Sequence, residues 1–470
     1  MSRMSWGETW PRPYGCVTMT VLALIGTLLI AIPAVTVAQT VELFNPYERL
    51  KNGPPLNDVW HKARPEWLWD KLHNPKHHPS ARMPDFTLTD DEVLDVMAFL
   101  KASADPSFPS VQWPAWAPKG EDDMTDDEYD AMYELVDEGD SVWRNARCTI
   151  CHVVEGPGNS LIGGFVDLRV GGIDLQLAGS KLNRDWLYRW IEEPMSYFPE
   201  TLMPRFRFTD EEIRSLAEFI LRDDIFRPDE EDGGQEQGAA APPPEWSTLD
   251  EPLRAERGEE LIESSRCVVC HDIEGMPELY AANERELPPS GENFEFLVYE
   301  RRCLTCHTVA GRGGTYAPDL TSAGSRLHES WISDFVAAPD LVRPLSQQMP
   351  RFNLTEEEAR IIASEVSGSF LDALVPADIP EPTVTGDDVQ LGAELFSERG
   401  CVACHTIGDG PGGIAGPTLG AVADRLQPGY IWHHLTNPRG VNPYSAEPDY
   451  GLSDDEARAL AAFLSRSTEE

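Results

Sequence analysis

Cys267–His271 reads CVVCH, and the pattern C-x-x-C-H recurs as CTICH at Cys148–His152, CLTCH at Cys303–His307 and CVACH at Cys401–His405. Eight of the nine cysteines fall in these four pairs, and only Cys16 stands apart. Cysteines of exported chains commonly close disulfides, and paired C-x-x-C groups can bind zinc in fours. Neither chemistry asks for a histidine after every pair. Two thiols at this spacing can each form a thioether to a haem vinyl group, and the adjacent imidazole then reaches the iron from the same side of the ring. The expectation is four c-type haems, held by Cys148 and Cys151, Cys267 and Cys270, Cys303 and Cys306, and Cys401 and Cys404, with His152, His271, His307 and His405 on the irons.

A longer repeat surrounds these motifs. A leucine stands eleven residues before an aromatic residue four times: Leu56 and Trp67, Leu175 and Trp186, Leu320 and Trp331, Leu419 and Tyr430. Further on, S/T-x-x-E recurs at Thr89, Thr209, Thr355 and Ser453. This is a capping box, in which the hydroxyl caps the third backbone N–H and the glutamate reaches back. Each box opens an amphipathic helix, with Val93, Val96, Met97 and Leu100 on one face of the first and Ile213, Leu216, Ala217 and Ile220 on one face of the second. Gly139, Gly258 and Gly392 stand nine residues before the first cysteine of three motifs and suit close helix–helix approach. The motif at Cys303 has Phe294 there instead, so its helix contact is expected to differ.

This order of parts resembles the class I cytochrome c family: a first helix, C-x-x-C-H, a loop with a P-x-L-like turn, an aromatic-led helix, a methionine loop and a last helix. The resemblance covers nearly all of the chain after its leader. It implies an all-α fold of tandem class I cytochrome c domains and a one-electron role. Six residues before each cap, at the position of the family's methionine, stand Met83, Met203, Met349 and Glu447. The resemblance implies Met203 and Met349 as iron ligands opposite His152 and His307. Methionine is also a general filler of apolar gaps, but the fixed spacing and the following proline in MPRF and MPDF favour the ligand role. At the His405 haem the position holds Glu447, and a carboxylate is a poor ligand for ferrous haem. His434 and His433 are the alternative sixth ligands there, with a solvated or packed helix face as the plainer reading of both.

Residues 106–227 and 290–378 each hold a complete set of parts, and residues 379–470 hold a set with Glu447 in the methionine position. Residues 39–105 have the Leu–Trp spacing, the Met83 loop and the last helix but no attachment motif. Residues 248–289 have the first helix and CVVCH but no methionine loop. Each half lacks what the other has, and either alone would expose apolar surface to water. The two are expected to join as one unit, with His271 and Met83 on opposite faces of one haem. Met276 is a weaker rival ligand, and His73, His77 and His78 are stronger ones. The contrary reading is a haemless remnant at 39–105. Residues 228–247, rich in Pro, Gly and acidic side chains, form a linker long enough for the chain to return.

The chain has 470 residues, 41% of them hydrophobic, and a net charge of −42. That suffices for several buried cores. The acid excess excludes nucleic acid, since phosphate binding needs clustered Lys and Arg, and suits redox partners with a basic docking surface. Arg3 and Arg12 precede an apolar run from Val17 to Val37, with a small-residue cleavage site after Ala38. Residues 1–38 therefore read as a signal peptide, or as a membrane anchor given the length of the run. A periplasmic or otherwise exported location follows, with maturation by haem-attachment machinery. The expected function is one-electron transfer between respiratory redox partners by a tetrahaem cytochrome, without catalytic residues. The alternatives are a peroxidase-like enzyme acting at the last haem, and a cytochrome component of a membrane quinol-oxidising or oxidase complex.

Overall fold

The computed structural model describes residues 43–46, 53–75, 83–152, 175, 178–222, 246–276, 287–342, 349–380, 382–407, 412–413, 415–441 and 445–466. The leader, His77, His78 and residues 228–245 of the linker lie outside them. Among the described residues the fold is all-α, apart from one small hairpin of Thr308–Val309 against Arg312–Gly313. No helix among them is long and apolar enough to cross a membrane.

Local signals in the sequence explain where the helices start. Thr89, Thr209, Thr355 and Ser453 each form the reciprocal capping box and open the helices Asp90–Ala102, Asp210–Leu221, Glu356–Ser369 and Asp454–Leu464. Thr125 and Thr385 do the same for Asp126–Asn145 and Gly386–Glu398. Three acidic residues stand in the first turn of each of the four closing helices, where they add favourable charge at the dipole's positive end.

The main cores are built on crossings of an opening and a closing helix. A Cβ added at Gly139 would lie 2.2 Å from the Ser215 carbonyl oxygen, and one at Gly392 would lie 2.0 Å from that of Ala459. Only glycine lets the backbones come so near. The same crossing occurs between segments far apart in the chain: a Cβ at Gly258, on Pro252–Ser264, would lie 2.0 Å from the Asp95 carbonyl oxygen, on Asp90–Ala102. Val93, Met97 and Leu100 of the first segment share one core with Leu249, Ile262 and Val268 of the second. Asp95, only 4% exposed, receives Arg254 Nη1 at 2.8 Å and Arg257 Nε at 2.7 Å across this crossing. Where Phe294 replaces the glycine, the opening helix Phe294–Glu300 is short and Phe294 meets Phe370 edge-on at 5.8 Å. There Gly324 makes the close approach, with its Cβ position 2.2 Å from the Val366 carbonyl oxygen.

Units also pair through equivalent residues. Ala63 and Leu182, each seven residues after a repeat leucine, form an antiparallel bridge. The Arg64 N–H donates to the Lys181 carbonyl and the Asn183 N–H to that of Lys62, both at 2.9 Å. Leu327 and Leu426 repeat this arrangement, with His328 N–H to Arg425 O at 3.0 Å and Gln427 N–H to Arg326 O at 2.9 Å. Because like residues meet like, each pair has a local two-fold relation. A different contact joins 106–227 to 290–378. Arg302 donates to the carbonyls of Thr201 (2.6 Å) and Pro199 (2.5 Å), and Arg207 pairs with Glu300 and Glu358. Phe206 stacks on Phe352 there at 5.6 Å.

Candidate haem centres

Each attachment motif forms the same tight turn. In every motif the histidine N–H donates to the carbonyl of the first cysteine, at 2.8 Å for His152 and 3.0 Å for His271, His307 and His405. The residue before the first cysteine lies in the left-handed region: Arg147 at φ 58°, Arg266 at 59°, Arg302 at 52° and Gly400 at 76°. A non-glycine residue there costs about 1 kcal/mol, and three arginines give no sequence signal for it. The eight cysteines of the motifs form no disulfides.

The imidazoles are oriented by proline carbonyls. Nδ1 lies 2.7 Å from the carbonyl oxygen of Pro54 at His271, of Pro318 at His307 and of Pro417 at His405. A carbonyl only accepts, so Nδ1 carries the proton and Nε2 keeps the lone pair an iron needs. Pro54 comes from the other segment. Around it the Gly53 N–H donates to Cys270 O at 2.8 Å and the Leu56 N–H to Asp272 O at 2.9 Å. In the last unit Gly416 to Cys404 and Leu419 to Thr406, both 2.8 Å, are the counterparts. A Cβ at Gly53 or Gly416 would sit 2.6 or 2.4 Å from Cε1 of His271 or His405, so both turns press on the ring they orient. Burial pushes the His307 imidazole below its ordinary value, which favours the neutral, ligating form. The turn expected to orient His152 lies outside the described residues, apart from Leu175.

The four ligand loops share a backbone feature that sequence reading missed. The fourth residue after Met83, Met203, Met349 and Glu447 has a left-handed φ: Thr87 at 51°, Arg207 at 56°, Asn353 at 51° and Gly451 at 58°. Glycine and asparagine at two of the four are the only hints in the sequence. Met83 packs against the core that also receives Cys267 and Met276. Met203 Sδ accepts a hydrogen bond from Trp190 Nε1 at 2.9 Å. Met349 packs with Phe206, Phe352 and Cys148. Glu447 Oε2 lies 3.2 Å from His405 Nε2.

The rival ligands are placed as follows. His434 occupies the helix register of Trp190 and stacks on Tyr430 at 6.2 Å. Its buried Nδ1 has no hydrogen-bond partner, and burial lowers its pKa against the pull of Glu447. His433 lies beside Trp432. His73 is bound to Asp90 at 2.9 Å and leans on Trp69 at 4.3 Å.

The donor sets suit c-type haem: paired thiols and an imidazole in each motif, with a carboxylate oxygen 3.2 Å from the imidazole in the last. A cytochrome c family model matches residues 136–222 and 296–364, and one described as "Cytochrome C oxidase, cbb3-type, subunit III" matches 387–464. These ranges include neither 39–105 nor 248–289. The chain is similar to a nitric oxide reductase subunit of Stutzerimonas stutzeri, 26% identical over 90 residues, covering 19% of this chain and 58% of that protein. It thus spans a little over half the length of that curated relative. No solved structure matches. With its attachment turns, helix crossings and matched domains, the chain is a multi-domain class I c-type cytochrome, all-α among the described residues apart from one small hairpin.

Proposed function

We propose that the chain is an exported, periplasmic tetrahaem electron carrier working between respiratory redox partners, and that segments 39–105 and 248–289 hold one of its four haems jointly. The observation that carries the joint unit is the bond from His271 Nδ1 to the Pro54 carbonyl, which crosses 217 residues of chain and repeats the geometry at His307 and His405. When bound, haem supplies a one-electron iron couple whose potential methionine ligation raises. Met203, Met349 and Met83 are the sixth ligands we assign opposite His152, His307 and His271. Trp190 holds Met203 in place. Similarity to components of respiratory complexes, with the net charge of −42, supports a basic-surfaced respiratory partner. A haemochrome assay on the fully matured chain is expected to give four haems; three or fewer would overturn this reading.

Glu447 favours a second reading for the last centre alone. A carboxylate facing His405, with His434 beside it, suits a low-potential or open iron site where a small substrate could react. Carbon monoxide is expected to bind the reduced protein at one haem, and Glu447→Met to abolish that binding. Absence of binding in the unmodified protein would exclude the open site.

A further inference from the structure

The attachment histidines run along the chain in the order His152, His271, His307, His405. Contacts between units follow a different order. We propose that the four centres stand in space as His271, His152, His307, His405, and that electrons cross the protein in that order. This rests on the tetrahaem reading above.

Three junctions carry the assignment. At the first, the Ala63–Leu182 bridge joins the His271 unit to the His152 unit. Tyr197 donates its hydroxyl to the Pro55 carbonyl at 3.3 Å, beside the proline that orients His271. The Tyr197 ring packs edge-on against Trp186 at 5.1 Å and Trp190 at 6.1 Å, and Trp190 holds Met203. One aromatic cluster therefore runs from the His271 turn to the Met203 loop. Lys62 lies over Trp186 at 4.8 Å and Lys181 over Trp67 at 4.8 Å, a reciprocal exchange between the paired units.

At the second junction, Arg302, the residue before Cys303, grips the Met203 loop through the carbonyls of Thr201 and Pro199. Thr305, inside the attachment motif, donates to Leu202 O at 3.2 Å. Cys148 and Met349, which belong to different centres, pack in one apolar cluster. The third junction is the Leu327–Leu426 bridge, where Gln427 Nε2 donates to the carbonyls of Gly324 (2.6 Å) and Leu327 (3.0 Å). Leu43 and Phe44, at the start of segment 39–105, also touch 290–378 through Tyr299 and Arg302. They belong to cores other than the one that holds Met83 and Cys267.

With haem bound, each transfer between neighbouring centres would move one electron, one iron being oxidised as the next is reduced, with no bond made or broken. A one-electron redox protein supplies the electron at one end, and a second such protein removes it at the other.

Pulsed dipolar electron paramagnetic resonance on the oxidised, fully loaded chain tests the order, with centres assigned from the spectral changes in Met83→Ala, Met203→Ala and Met349→Ala. Strong coupling is expected for His271 with His152, His152 with His307, and His307 with His405. Coupling between His271 and His307 is expected to be weaker than either has with His152. A redox titration gives a second readout. Reducing the His152 centre should lower the potentials of its two neighbours, because like charges repel over short range, and leave that of His405 unchanged because of screening. Strong direct coupling of His271 to His307, as chain order would give, overturns the proposal. Four haems with that coupling defeat the order alone, whereas fewer than four haems defeat the reading beneath it.

Discussion

Two parts of the molecule build the same turn from very different stretches of chain. In residues 379–470 the proline carbonyl that orients His405 is 12 residues away; in the joint unit the carbonyl that orients His271 is 217 residues away, and both bonds are 2.7 Å. The glycine crossings match as well, Gly392 against Ala459 and Gly258 against Asp95. Loop-closure entropy grows only with the logarithm of loop length, so the longer closure costs about 2.5 kcal/mol more. Burying one additional leucine-sized side chain offsets that amount. Continuity of the chain is thus a minor term, and complementary surfaces decide which segments join. What the joint unit adds is polar: the buried Asp95 with its two arginines has no counterpart at Ala459.

The sharpest break in this comparison is at the crossings. Gly258→Val and Gly392→Val should each cost at least about 3 kcal/mol. The first should remove or loosen only the haem at His271 and the second only that at His405, read by haem count and thermal unfolding. If Gly258→Val left all four haems and the unfolding temperature intact, the joint crossing would not be needed. Next in size, Arg254→Met takes one guanidinium from the buried Asp95 carboxylate and should cost about 2 kcal/mol. The His405 spectrum should not change.

A smaller effect separates the two ligand loops. Thr87 and Gly451 hold the same left-handed position, at φ 51° and 58°. Thr87→Gly should stabilise the joint unit by up to about 1 kcal/mol, and Gly451→Thr should destabilise the last unit by at least as much. Opposite signs in denaturant midpoints are the expected result. A separate effect lies in pH. Burial, with Lys181 nearby, pushes the Lys62 amine down to about 7. Its unfolded value is about 10.4, so between these values the folded chain binds fewer protons and stability rises with pH. Lys62→Met should flatten that rise, seen in unfolding temperatures taken from pH 7 to 10.

Much of this was legible in the residues alone. C-x-x-C-H names its chemistry, and the caps at Thr89, Thr209, Thr355 and Ser453 form as their side chains require. The glycines before three motifs mark backbone approaches because no other residue fits. The bridges between units were not legible: Ala63, Leu182, Leu327 and Leu426 are ordinary apolar residues whose role comes from backbone hydrogen bonds any side chain allows. The left-handed residues were hidden for a similar reason, since Arg147, Arg266, Arg302 and Thr87 carry a strain that the surrounding turn imposes. The proposed order of the centres rests on those bridges, so it could not be read from the order of the motifs.

The central claim is that a methionine loop at the start of the chain serves a haem attached far downstream. The direct measurement is the weak red-edge absorption band of methionine-bound ferric haem in Met83→Ala, recorded with the Cys267→Ala/Cys270→Ala variant, which lacks only the haem at His271, as reference. The account predicts that Met83→Ala loses one methionine-bound centre and lowers its potential, and that this centre is the one missing from the cysteine variant. Four unaltered haems in Met83→Ala, or a change at any centre other than that of His271, would contradict it.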